Sequence, residues 1–173
     1  MKDSLHRKIM AAVPILRPLT SSELEEILSI SRLLKVNRDA TVIREGELGN
    51  SMYIIVSGRV RVLKEIKPGE RKTLATLGAG EVFGEMALID RYPRSASVVT
   101  LTNSVLYQID LDRFNELRTE WRPAAFKILR QLAPVLCKRI RTIDRMTGDI
   151  LTTQPDQDTP EARRDMFNRL RGS

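Results

Sequence analysis

The sequence predicts an α+β domain in which a small antiparallel β barrel is flanked by N-terminal and C-terminal helices. From Ala40 onward, apolar runs are short or alternate with polar residues, and turn residues separate them. Turn signals about eight to twelve residues apart are typical of antiparallel strands that close into a barrel. Apolar residues at helical spacing lie on both sides of this region, before Ala40 and after Pro123.

An amphipathic helix is predicted to begin at Thr20, because Thr20-Ser21-Ser22-Glu23 has the pattern of a capping box. Its apolar residues continue at helical spacing through about Ser31: Leu24, Ile27, Leu28 and then Leu33 or Leu34. Residues 5–17 are predicted to form an earlier, shorter helix that ends before Pro18, since a proline disfavours helix in the residue before it.

The predicted strands follow in order along the chain. Ile54-Ile55-Val56 is a strand buried on both faces, and the next strand begins after the tight turn at Ser57-Gly58. Lys67-Pro68-Gly69-Glu70 is a hairpin tip, from which the strand Thr73–Leu77 returns. The strands that complete the barrel are Val98–Thr100 and Ser104–Ile109.

Two helices are predicted after the barrel. Asp110 or Asp112 is expected to cap a helix that contains Phe114 and Leu117. Pro123 then opens a longer helix, because proline is favoured in the first helical turn.

The longer helix carries an apolar stripe that is close to a heptad repeat. Its members are Ala125, Leu129, Leu132, Leu136, Ile143 and Met146. Pro134 lies inside the stripe and is expected to kink the helix or divide it near Arg130. Three interpretations stay open for the stripe: a face packed against the barrel, a self-association seam, or a lid over a ligand.

Positive charge is concentrated in the same region. The formal net charge of the chain is +7, and residues 122–145 alone carry +6, with Asp144 as their one acid. The basic residues are Arg122, Lys127, Arg130, Lys138, Arg139, Arg141 and Arg145. Because the excess lies in one segment, we expect residues 122–146 to meet a protein partner or a second copy, and we expect no nucleic-acid partner.

Three segments are predicted along the chain. Residues 1–17 form an N-terminal segment with the short helix, residues 18–146 form the binding domain with its last helix, and residues 147–173 form a polar tail. Within the tail, Thr147–Thr159 lacks periodicity. Pro160–Arg171 is a short helical pattern that is marginal alone, so disorder and docking both stay open for it.

Composition excludes several classes of function. With 42% apolar and 29% charged residues the chain is globular, and no run approaches the roughly 20 apolar residues of a membrane span, so a cytoplasmic location is expected. His6 is the only histidine, which excludes histidine-rich metal centres and histidine-dependent nucleophiles; we expect no enzyme and no metal. Cys137 is the only cysteine, and its neighbours Leu136 and Ile140 predict a buried thiol.

The other predicted elements are organised around one stretch, Gly80–Val99, with the sequence GEVFGEMALIDRYPRSASVV. Glu85 and Arg94 lie nine residues apart in it. Gly84 permits backbone to approach a ligand closely. Met86-Ala87-Leu88-Ile89 is one inward-pointing turn, and its first amides, which lack intrahelical partners, predict a site for an anion.

The residues around Arg94 extend this anion site. Pro93 fixes φ just before it, and the small side chains of Ser95-Ala96-Ser97 let backbone amides approach the same anion. One phosphate would satisfy all these donors. Glu85 beside a phosphate needs a hydrogen-bond donor from elsewhere on the ligand, and a sugar hydroxyl supplies it. The implied ligand is a nucleotide.

The segment FGEMALIDRYPRSASV resembles the phosphate-binding cassette of cyclic nucleotide-binding domains, such as those of cAMP receptor protein and of protein kinase A regulatory subunits. EGELGNSMYIIVSGRVRV resembles the opening strands of the same domains. The resemblance implies a barrel of the jelly-roll, double-stranded β-helix type. It also implies that Glu85 holds the ribose 2′-hydroxyl and that Arg94 pairs with the cyclic phosphate, assisted by Ser95 and Ala96.

The base site is less clear from the resemblance, in which the last helix folds over the base. The candidate neighbours of the purine are Leu77 and one of Leu136, Ile140 and Ile143, and the polar candidates for its edge are Thr142 and Arg139. The hydroxyl of Ser95 serves either purine, so the ligand is cAMP or cGMP. One departure from the family pattern is Asp39, where a glycine is more often found.

The sequence therefore predicts a stand-alone, non-catalytic receptor for cAMP or cGMP that signals by moving its terminal helices to a protein partner. A transcription regulator of the cAMP receptor protein type is an alternative, but it requires a helix-turn-helix, and the 28 residues after Arg145 contain one short helical pattern. A detached regulatory domain of a kinase or a channel is the other alternative. A cupin-type enzyme is disfavoured, because it needs a cluster of metal ligands.

Overall fold

Two four-stranded antiparallel sheets form the centre of the computed structural model, which describes residues 12–90 and 92–153, with side-chain burial through Thr142. The strands are β1 (Ser31–Val36), β2 (Thr41–Ile43), β3 (Ser51–Ser57), β4 (Val60–Lys67), β5 (Glu70–Leu77), β6 (Val82–Phe83), β7 (Ser97–Thr100) and β8 (Ser104–Asp110). The sheet orders are β1-β8-β3-β6 and β2-β7-β4-β5. The chain crosses repeatedly between the sheets, as in a jelly roll, which confirms the predicted fold class.

Helices flank the sheets at both ends of the chain. They are α1 (Ser21–Ser29), α2 (Leu111–Thr119) and α3 (Pro123–Thr153), and there are 3-10 turns at Pro14–Leu16 and Glu85–Leu88. The predicted capping box forms: the N–H of Glu23 donates to Thr20 Oγ1 at 3.3 Å, and the N–H of Thr20 donates to Glu23 Oε2 at 2.7 Å. Of the two candidate caps of α2, Asp110 is the cap, because its carboxylate accepts from the N–H of Arg113 at 3.0 Å.

One hydrophobic cluster fills the space between the sheets. Its members are Ile43, Tyr53, Ile55, Val60, Leu77, Phe83, Val98 and Leu106. Within it Tyr53 and Phe83 stack, with ring centroids 4.9 Å apart. The burial of such side chains is the main favourable term in folding, so this cluster holds the two sheets together.

The helices cover the outer face of the first sheet. Met52 and Ile54 alternate with the interior residues of β3 and so point to the opposite face, yet both are buried. α1 contacts β1, and α2 contacts β8. Strand β3 is therefore buried on both faces, as predicted for its centre.

Two ion pairs join α1 to the start of α3. Lys127 Nζ donates to both carboxylate oxygens of Glu23 at 2.7 and 2.8 Å, and Arg122 contacts Glu26 at 2.5 Å. The hydrogen bond from Lys127 is the main reason that the pKa of Glu23 lies below its ordinary value. The carboxylate of Glu23 thus serves the cap of its own helix and the contact between the two helices.

Leu33 and Leu34 lie in β1 and not in the first helix, which corrects the helical interpretation of their spacing. α1 ends at Ser29. Leu34 packs against the interior cluster, whereas Leu33 is 51% exposed. This alternation is that of a strand, and two adjacent leucines fit either period in the sequence alone. In the described part of residues 5–17, the 3-10 turn Pro14–Leu16 stands where a helix was predicted.

The long helix differs from its prediction in length and in the face that it buries. α3 is unbroken at Pro134 and continues to Thr153, so it includes the start of the segment predicted as polar tail. Through Thr142, where its side-chain burial is described, its fully buried residues are Ala124, Ala125, Ile128 and Leu132. Cys137 is exposed, which corrects the prediction of a buried thiol. The side chains of Ile143 and Met146, and residues 154–173, lie outside the described part.

The chain divides into two compact units at the Leu132–Ala133 boundary, inside α3. The first unit holds both sheets, and the second begins just before Pro134.

Asp39, the position where the family more often has glycine, has φ +61°, and its N–H donates to the carbonyl of Thr100 at 2.9 Å. Aspartate tolerates this left-handed conformation better than most residues. Within residues 12–90 and 92–153, no helix is long and apolar enough to cross a membrane.

Candidate functional site

Gly84 begins the turn that the sequence marks as the centre of the site. It follows β6, adopts φ +72°, and precedes the 3-10 turn Glu85–Leu88. A Cβ at this position would lie 2.9 Å from Arg94 Nη1 and 3.2 Å from the carbonyl oxygen of Ser51. Both the left-handed backbone and the lack of space require glycine here.

Arg94 is held by backbone atoms from three segments of the chain. Its Nη1 donates to the carbonyl of Gly84 at 3.0 Å, and its Nη2 donates to the carbonyl of Ser51 at 2.5 Å. Its own backbone N–H donates to Glu47, and its carbonyl accepts from the N–H of Gly46, both at 2.9 Å. The guanidinium has five N–H groups, so these two side-chain bonds fix its plane while three N–H groups remain outside them.

Arg94 is a half-buried cation with an acidic neighbour. Burial lowers the pKa of Arg94, and attraction by Tyr53 and Glu85 opposes that shift. Arginine keeps its proton even so, because its ordinary pKa lies far above neutral pH. Glu85 is 2% exposed, so a buried carboxylate lies on the turn beside the cation. Such a pair can bind a ligand that offers an anionic group to the arginine and a hydroxyl to the glutamate.

Gly49 is a site residue that the sequence marked only as part of a turn. A Cβ there would lie less than 3.0 Å from Nε, Cζ and Nη2 of Arg94. Its φ is not in the left-handed range, so lack of space and not backbone conformation is the reason for glycine. The only signal in the sequence was the glycine itself, since its contact with Arg94 depends on how the loops pack.

A series of hydrogen-bonded polar side chains holds Ser51 in place. Gln108 Nε2 donates to Ser51 Oγ at 3.0 Å and to Tyr53 Oη at 3.3 Å, while Arg32 Nη2 donates to Gln108 Oε1 at 2.8 Å. Ser51 is buried, so these bonds satisfy polar groups that water does not reach. They fix the start of β3, which provides one of the two acceptors for Arg94.

The other predicted site residues differ in their burial and in their contacts. Ser95 is exposed, and its hydroxyl donates to Met86 Sδ at 3.6 Å, so the cassette residues on either side of the site meet. Ser97 is buried, and its Oγ accepts from the N–H of Glu45. Ala87 and Ala96 are buried and half-buried, respectively. Leu77 is a member of the interior cluster, and Ile143 lies outside the described side chains.

The double sheet and the clamped arginine define a small-ligand sensor domain, and comparison with known proteins names its family. Residues 33–120 match the family model described as "Cyclic nucleotide-binding domain". The chain belongs to this family, which confirms the resemblance found in the cassette. The family is regulatory and not catalytic in character.

Individual relatives agree with this assignment. The chain is 28% identical to the CRP-like cAMP-activated global transcriptional regulator of Mycobacterium tuberculosis, over 84% of this chain and 63% of that protein. It is 37% identical to a cyclic nucleotide-gated potassium channel of Rhizobium etli, over 78% of this chain and 33% of the channel. A solved cyclic nucleotide-binding domain from Methylobacillus flagellatus superposes with a TM-score of 0.74 at 27% identity, covering 85% of both chains. The chain thus spans less than two thirds of the length of the regulator.

Gly49→Ala tests whether the arginine position depends on the missing Cβ. We expect the new methyl group to displace the guanidinium from the carbonyls of Gly84 and Ser51 and to lower the free energy of unfolding by about 1–3 kcal/mol. Gly78→Ala is the matched control, since its Cβ would meet only Glu81 Oε2 at 4.0 Å. Chemical denaturation of both variants measures the difference, and equal unfolding free energies would contradict the constraint.

Proposed function

We propose that this chain is a receptor module for a 3′,5′-cyclic mononucleotide, with the phosphate on Arg94 and the ribose 2′-hydroxyl on Glu85. The observation that carries the proposal is the guanidinium held by the carbonyls of Gly84 and Ser51 next to a buried glutamate. A planar fork that is already oriented binds phosphate without the entropy loss of ordering a free side chain.

The remaining cassette residues complete the proposed phosphate and base contacts. The backbone at Ser95 and Ala96 assists Arg94 at the phosphate, and Gly84, Met86, Ala87 and Ser97 form the rest of the surface around it. Leu77 and Ile143 are the proposed neighbours of the purine. Leu77 is 6% exposed at the end of β5, so its contact with a base would be limited to a small exposed part of its side chain.

cAMP is the first ligand to test, and cGMP is the second. The name of the Mycobacterium tuberculosis relative states activation by cAMP, and that relative matches most of this chain. The hydroxyl of Ser95 can donate to either nucleotide. A direct comparison of the two affinities decides between them.

The proposed output is a displacement of the terminal helices, which fits a regulatory domain of residues 18–146. The cassette turn Glu85–Leu88 contacts α2, and the two ion pairs connect α1 to α3. The charge of +6 on residues 122–145 suits an acidic protein partner, and the apolar stripe suits a second copy of the chain. We propose a cytoplasmic location, since a single cysteine is ordinary for a reducing compartment.

Calorimetric titration with cAMP and cGMP tests the binding proposal. A ligand at a hundred times its dissociation constant should raise the free energy of unfolding by about 2.7 kcal/mol. Arg94→Ala should weaken binding by about 2–5 kcal/mol, which is roughly thirty-fold to several thousand-fold, because a buried phosphate loses its strongest partner.

The control for that loss is Arg113→Ala, which removes an exposed arginine from α2 and should leave affinity unchanged. If neither nucleotide binds the wild-type chain at millimolar concentration, the proposed function is wrong. If Arg94→Ala binds as well as wild type, the ligand lies at another site.

Glu85→Ala tests the assignment of the ribose. We expect it to weaken cAMP binding less than Arg94→Ala does, because a hydrogen bond to a charged group contributes about 1.5–3 kcal/mol. The same substitution should have little effect on 2′-deoxy-cAMP, which lacks the hydroxyl. An equal loss for both ligands would assign Glu85 to a structural role.

Ligand-dependent helix motion is tested by hydrogen exchange over residues 122–173 and by tryptophan fluorescence. Trp121, between α2 and α3, is the single tryptophan; it is 79% exposed and stacks on Phe126 of α3. We expect saturating nucleotide to change both signals, because a ligand that binds two states unequally shifts their populations. Unchanged protection in this region, or specific sub-micromolar binding to DNA, would reject the proposed output.

A further inference from the structure

Lys64 contacts the peptide that follows the site arginine. This lysine lies on β4, and its Nζ donates to the carbonyl oxygen of Ser95 at 2.9 Å. The same ammonium group pairs with the carboxylate of Glu45. Neither Lys64 nor Glu45 is part of the cassette, yet together they reach its backbone from a neighbouring strand and loop.

Glu45 is fixed at both ends. Its Oε2 accepts from the N–H of Glu65 at 3.0 Å, and its own N–H donates to Ser97 Oγ at 3.0 Å. The N–H of Glu65 and then Lys64 lower the pKa of Glu45, so its carboxylate is ionised at neutral pH. A fixed carboxylate holds the ammonium group of Lys64 in one place.

The contact with Ser95 sets the direction of the next amide. A trans peptide is planar, so the C=O of Ser95 and the N–H of Ala96 point in opposite directions, and none of the described peptide bonds is cis. Because the oxygen faces Lys64, the N–H of Ala96 is directed to the other side of the loop. An ammonium group on the carbonyl also polarises the peptide and strengthens donation by that N–H.

We propose that Lys64, held by Glu45, is a positioning residue that aims the Ala96 N–H at one exocyclic oxygen of the cyclic phosphate. The inference rests on the proposed function. Lys64 acts through the peptide and not by direct attraction, because its ammonium group and the phosphate would be roughly 8 Å apart across the peptide. That distance is about one Debye length at physiological salt, and Glu45 offsets the charge.

The test combines two lysine variants with phosphorothioate ligands. Lys64→Met removes the contact with Ser95. Lys72→Met is the matched control, because Lys72 is exposed and pairs directly opposite Lys64 on β5, so its removal deletes the same charge nearby. Affinities are measured by calorimetry for cAMP and for its two phosphorothioate diastereomers, each of which replaces one exocyclic oxygen with sulfur, a weaker acceptor.

We expect Lys64→Met to weaken cAMP binding by about three- to ten-fold, the range of one hydrogen bond. Sulfur is expected to weaken binding relative to cAMP, and this loss of affinity should be smaller in Lys64→Met than in wild type by a similar factor. The change should appear for one diastereomer only, the one whose sulfur takes the place of the oxygen that faces the Ala96 N–H. Lys72→Met should leave all three affinities within about two-fold of wild type, since a screened surface charge contributes little.

Equal affinities of the two lysine variants would overturn the inference, and so would a loss in Lys64→Met with both sulfur penalties unchanged. Glu45→Gln is a second variant of the same shape, for the case that Lys64→Met does not fold. We expect Glu45→Gln to weaken cAMP binding less than Lys64→Met does, with the same diastereomer preference. An unchanged affinity would count against the proposal that Glu45 holds Lys64. A wild-type chain that binds neither cAMP nor cGMP would reject the proposed function itself.

Discussion

The position of the Arg94 guanidinium is the constraint on which the site depends. A partly buried cation loses hydration, and the carbonyls of Gly84 and Ser51 replace part of it. Neither carbonyl moves independently of the sheet, because Ser51 begins β3, Gly84 follows β6, and these two strands pair through Tyr53 and Phe83. Strand pairing therefore determines where the charge lies, and the hydrophobic cluster that fixes the strands also fixes the site.

Two glycines serve this constraint for different physical reasons. Gly84 needs a left-handed backbone as well as space, whereas Gly49 needs only space. The difference matters for substitution, since strain at a positive φ accompanies any side chain, while an overlap depends on what the neighbour can do. At Gly49 the neighbour is the guanidinium of Arg94, which donates to two backbone carbonyls. The guanidinium can relieve the overlap only by moving away, and that movement breaks its hydrogen bonds to those carbonyls.

The sequence predicts those features that lie within one continuous segment. The occurrence of Glu85 and Arg94 in one cassette and both helix caps depend on residues close together along the chain, so their spacing is informative. Two contacts of the cassette could not be predicted in this way: that of Arg94 with the carbonyl of Ser51, and that of Lys64 with the carbonyl of Ser95. Each joins residues more than thirty positions apart, and every residue has a backbone carbonyl, so the sequence does not mark which one is used. The prediction of a buried Cys137 was wrong because it rested on the apolar neighbours Leu136 and Ile140, and Ile140 is itself 58% exposed.

Magnitudes indicate how such a site can drive the helices. The ion pairs of Glu23 with Lys127 and of Glu26 with Arg122 are partly exposed, and pairs of this kind contribute about 1 kcal/mol or less each. A ligand at a hundred times its dissociation constant contributes about 2.7 kcal/mol to the state that it binds. Bound ligand can therefore outweigh either pair, although it shifts the helices only by its difference in affinity between the two arrangements. Ion pairs of this strength between α1 and the start of α3 are thus compatible with a switch that a bound ligand drives.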